Sequence, residues 1–164
     1  MGLAGGAALL LVRWLHAPTA SPEPLSRTGL APSARVVLAA IIPVMLDGAL
    51  PSTDEQAAAR AQTLTAAQDA IAGLPPAARA ELTDLFSLLD FAPTRCLIAG
   101  VWTTWPEASN ESVAGFLARW RDSRFELMRS AYSALHQIVL AAWYAQPRAW
   151  PATGYAGPPS LSVA

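Results

Sequence analysis

The chain has 164 residues, 53% of them hydrophobic and only 14% charged, with a formal net charge of −1; an ordinary globular domain is about 25% charged. The length suits one compact domain that buries its own core, and the near-zero charge leaves no electrostatic footprint for nucleic acid. The single cysteine, Cys96, excludes an internal disulfide and a multi-cysteine zinc or iron–sulfur site within the chain. So little charge suggests surface covered by a membrane, by a partner, or by both.

Residues 1–17 form an apolar segment resembling a secretion signal or anchor, ending in Arg13, Trp14, Leu15 and His16. Its apolar run of 12 residues falls short of the roughly 20 needed to span a bilayer. Three readings stay open: a signal or anchor that starts further upstream, a short interfacial anchor with Arg13 and Trp14 at the headgroups, and an apolar tail. Residues 18–32, with four prolines, read as an extended linker.

Residues 33–146 read as an all-α bundle of about five or six helices with short connections. The first helix starts at Ser33. It is apolar at 36, 37, 38, 41, 42, 44, 45 and 46, so it lies centrally or inside a complex. Pro43 should kink it, and Asp47-Gly48 should end it. Ser52 and Glu55 have capping-box spacing before an Ala-rich helix, with Leu64, Ile71 and Leu74 on its expected stripe. Pro75-Pro76 opens the next helix, which carries Leu82, Leu85, Phe86 and Leu89, and Pro93 is expected to break it. An apolar stretch over 96–102 and a turn at 103–106 follow. Ser109 is the expected cap of a helix bearing Val113, Phe116, Leu117 and Trp120. The last long helix takes Phe125, Met128, Tyr132, Leu135, Val139 and Trp143, and stops before Pro147. The prolines and glycines of 147–164 predict an irregular tail, neither helix nor central strand.

Chemistry is sparse. His16 lies in the N-terminal segment. His136 has Tyr132, Ser133, Val139 and Leu140 at the flanking helical positions, which is no metal-ligand pattern. Arg95 beside Cys96 could lower the thiol pKa, but buried, unreactive cysteine is the ordinary case. No glycine-rich phosphate or dinucleotide turn is present, and no Cys-x-x-Cys-His haem motif. No catalytic, cofactor or metal residue is therefore expected, and a stand-alone enzyme using Cys96 or His136 ranks last. Arg119, Arg121, Arg124 and Arg129 interleave with Asp122 and Glu126, which fits either a solvated face or an Arg-rich docking edge. Aromatic residues frame the rigid tail, which suits binding to a partner groove or folding back over the bundle. The candidate partner-binding residues are Trp143, Tyr144, Pro147, Trp150, Gly154, Tyr155, Arg121 and Arg124.

The stretch "AAWYAQPRAWPATGYAGPP" (141–159) is similar to the C-terminal signature of the gluconate 2-dehydrogenase small-subunit-like family. The stretch "ARVVLAAIIPVMLDGALP" (34–51) resembles that family's first core helix, and "FLARWRDSRFELMRSAYSALHQIVLAAWY" (116–144) its final helical region. The resemblance implies a helical accessory subunit without a redox centre. Its partner would be a glucose-methanol-choline-type large subunit holding FAD and the catalytic histidine. Electrons would leave through a cytochrome c subunit or membrane quinone. The small subunit would aid stability, export or anchoring, at the periplasmic face of the inner membrane or in the periplasm; a cytoplasmic site is the alternative. The chain departs from the pattern in having no twin-arginine signal, which weakens the export role. The competing reading is a stand-alone, membrane-associated helical protein that binds an apolar ligand.

Overall fold

The computed structural model describes residues 32–51, 53–155 and 157. The N-terminal segment, most of the linker and the expected cap at Ser52 lie outside the described residues. The described residues form helices and turns without a strand: an all-α bundle. Five long helices make its body: α1 (Pro32–Met45), α2 (Thr53–Ala72), α3 (Pro76–Asp90), α4 (Asn110–Arg121) and α5 (Glu126–Tyr144).

Helix α1 lies at the centre. It buries Ala34, Val37, Leu38, Ile41 and Ile42, and it touches α2, α3, α4 and α5. The other helices pack on its large apolar side, while Arg35 and Ala39 remain exposed on the opposite one. Pro43 sits in its last turn. The N–H that Pro43 lacks would have bonded the carbonyl of Ala39, a residue on the exposed side, so the loss is tolerated. Gly48, at φ +77°, then reverses the chain.

Helix α2 departs from the expected stripe. Ile71 is buried, but Leu64 and Leu74 only partly so. The fully buried line is Ala59, Thr63, Ala67 and Ile71, at i, i+4 spacing. Small side chains let α2 approach its neighbours α1 and α5 closely. Thr63 is the buried polar side chain of the described core. Its hydroxyl donates to the Ala59 carbonyl at 2.8 Å and accepts from the Gln146 amide at 3.1 Å, tying α2 to the end of α5.

Helix α3 places Leu82, Phe86 and Leu89 inside, with Leu85 at the margin. The chain leaves the helix at Phe91, which is extended, and Pro93 falls in the first turn of a new three-residue helical piece, Ala92–Thr94. Proline thus opens a turn here, where its missing N–H is not needed. A π-turn, Arg95–Ala99, follows and is closed by Gly100 at φ +65°, with the Val101 N–H returning to the Arg95 carbonyl at 3.1 Å.

Helix α4 is capped by Ser109, whose hydroxyl accepts from the Ser112 N–H at 3.2 Å, and it buries Val113, Phe116, Leu117 and Trp120. Phe116 packs edge-on between Trp105 and Trp120, with centroids 5.6 and 4.8 Å away. Helix α5 buries Leu135, Val139, Ala142 and Trp143; Phe125, at its N-cap, stays exposed. Residues 147–153 are more regular than their composition predicts. They make a 3-10 turn, Pro147–Ala149, and one helical turn, α6 (Trp150–Thr153). Pro147 and Pro151 each occupy a first-turn position, which corrects the expectation of a wholly irregular tail.

Candidate interaction surfaces

The expected partner-binding residues separate by burial. Trp143 is 4% exposed and belongs to the bundle's own core, so it is corrected from docking residue to core residue. The cause is register: 135, 139 and 142–143 lie on the inward side of α5. Tyr144 (46% exposed), Tyr155 (52%), Pro147 and Gly154 face outward. Trp150 is half-buried. Its indole N–H donates to the Tyr144 carbonyl at 3.0 Å, and Tyr155 packs edge-on against its ring. Gly157 lies so close to that ring that a Cβ there would come within 2.9 Å of it. This corner is folded back on the end of α5.

The arginines also separate. Arg121 forms a bidentate contact with its neighbour Asp122, both bonds at 3.0 Å. The bond and the attraction of Asp122 raise the Arg121 pKa, and Arg121 in turn lowers that of Asp122. Arg121, proposed from sequence as a docking residue, is thus already paired, within the chain. Arg124 lies over the Phe125 ring, 4.9 Å from its centroid. Arg129 donates to the Ser123 carbonyl at 2.6 Å.

His136 lies alongside Tyr132, ring planes 25° apart. Arg95 donates to the Asp90 carbonyl at 3.1 Å. Among the described residues no three His, Cys, Asp or Glu side chains converge as a metal site would require, and no helix is long and apolar enough to cross a membrane.

Sequence reasoning missed a surface on residues 91–102. Leu97 is 80% exposed and Trp102 77%, with Phe91 also outward. The segment read simply as apolar, without an orientation. The π-turn decides it: Ile98 and Ala99 are turned toward α4 while Leu97 is left outside. The Trp120 indole donates to the Ile98 carbonyl at 3.2 Å, and the Trp105 indole to the Leu89 carbonyl at 2.9 Å. An open groove of about 420 Å³ also runs beside α1, lined by Val36, Ala40, Pro43, Leu64 and Trp105.

The fold and these surfaces define a class, the all-α bundle with a filled core and large apolar side chains left in solvent. Compared with protein-family models, curated proteins and solved structures, the chain matches none.

Proposed function

We propose that this chain is a non-catalytic small subunit that binds and stabilises an FAD-dependent glucose-methanol-choline-type dehydrogenase. The observation that supports this reading is the outward placement of large apolar side chains, Leu97 and Trp102 foremost, on a bundle whose core is already closed. Covering such side chains contributes about 1.5–3 kcal/mol each, and a partner protein supplies the cover. The resemblance in the C-terminal stretch names the partner class. FAD and the reacting groups belong to that partner, with a cytochrome c subunit or membrane quinone as the electron outlet and the periplasmic side of the membrane as the place. The N-terminal apolar run serves export or anchoring.

Affinity purification of the tagged full chain from its native source tests the reading, with mass spectrometry and a flavin absorbance scan of the eluate. The expected outcome is a yellow complex with a large flavoprotein in fixed ratio. A colourless, stable lone chain carrying a lipid would establish the ligand-binding alternative instead.

A further inference from the structure

Helix α1 is apolar almost all round, yet the other helices pack on one side of it. Its other side borders the open groove of about 420 Å³, where Val36, Ala39, Ala40 and Pro43 meet Leu64 of α2 and Trp105. Ala39 is exposed, and Val36, Ala40, Pro43 and Leu64 are half-buried, so each keeps apolar surface in water. The groove starts at Arg35 and Val36, in the first turn of α1, directly after the described chain begins at Pro32. The 31 residues before Pro32 include Leu9, Leu10, Leu11, Val12, Trp14 and Leu15.

We propose that this apolar run, residues 9–15, folds back and docks in the groove on α1, so that the lone chain covers its own run. The inference does not depend on a flavoprotein partner; the run would have to leave the groove before it could anchor or direct the chain. Connection selects the occupant. Residues 16–31 tether the run to α1. A flexible tether of that length has a root-mean-square span of about 20–24 Å, and a helix of 14 residues, the length of α1, is about 21 Å long. The run therefore stays within reach of the whole groove, at an effective concentration of roughly millimolar. A separate molecule present at about micromolar concentration would need about a thousandfold greater affinity to displace it. Shape also counts against a second copy. Two concave grooves cannot fill one another, and a head-to-tail contact has to close a ring before every groove is filled. The lining suits the run: its charged residue is Arg35, and the rest is apolar apart from Asn110. Arg13 is the charged residue of the run, and its stem is long enough to hold the guanidinium at the open side of the groove.

Disulfide trapping in the full chain tests the docking. Ala39→Cys is combined in turn with Leu9→Cys, Leu11→Cys and Leu15→Cys, each over Cys96→Ser, so that any of three registers can close. The dilute lone chain is oxidised, mass spectrometry separates links within a chain from links between chains, and circular dichroism checks the fold of each variant. At least one pair is expected to close within the chain. Adding Leu10→Asp and Val12→Asp leaves the tether and the cysteines in place, and is expected to slow that closure about tenfold or more. Equal rates with and without the aspartates would show that the tether alone brings the cysteines together, and would overturn the docking. Links between chains at high dilution would give the groove to a second copy and overturn it as well. So would the absence of any link in the lone chain, whether the run is then found in a phospholipid vesicle or on a co-purified flavoprotein.

Discussion

Thr63 and Gln146, 83 residues apart, meet inside the bundle through one amide–hydroxyl bond. The Gln146 amide also donates to Ala142, so it caps the end of α5 while holding α2. Thr63→Val keeps the shape and removes both hydroxyl bonds; a loss of about 1–3 kcal/mol is expected in a urea melt. Gly100 carries two demands, a left-handed φ and the space filled by Arg119. Gly100→Ala should therefore lose about 1–2 kcal/mol from backbone strain alone, and more from the displaced guanidinium. In a double-mutant cycle with Arg119→Ala, the second part should vanish and leave only the strain. Asp122 behaves differently. Arg121 lowers its pKa, so whatever stability the pair contributes is present above the ordinary carboxylate range and lost as pH falls through the lowered value. Both side chains are mostly in water, so Asp122→Asn should differ little from wild type at neutral pH and not at all in strong acid.

Among the helices, α4 was the most legible in the sequence. Its Ser109 cap and all four inward positions are as the 3.6-residue period places them, because large apolar residues mark one side and polar residues the others. Ser109→Ala should lower stability by about 1 kcal/mol, read from the thermal midpoint. The inward side of α2 was not legible. Alanine recurs on all its faces, so size could not mark which alanines face inward; only the neighbouring helices decide that. Ala67 is fully buried on that close-packed line. Ala67→Leu, conservative by hydrophobicity, should cost about 1–3 kcal/mol through overpacking. Residues 96–102 were legible as apolar and not as outward-facing, since a π-turn leaves no periodic mark in seven residues. The arginine cluster was visible as a charge pattern; that Arg119 would bond the Ala99 carbonyl, 20 residues away, depends on the fold of that segment and left no mark in the sequence.

At the scale of the molecule, the high apolar content is divided between a core built on a helix that touches four others and side chains that remain in water. The two populations answer mutation differently. Trp143→Ala should remove about 3–5 kcal/mol of folding stability, so a lost complex in that variant would report unfolding. Leu97→Ser and Trp102→Ser should leave the melting temperature nearly unchanged.

The tryptophans divide in the same way, and the division is optically useful. Trp105, Trp120 and Trp143 are enclosed, while Trp102 stands in solvent. Among the described tryptophans Trp102 is the most exposed, so a dissolved quencher should extinguish it before the enclosed ones, and Trp102→Phe should remove that component of the emission. The protein thereby carries its own reporter of whatever covers that corner, with no added dye.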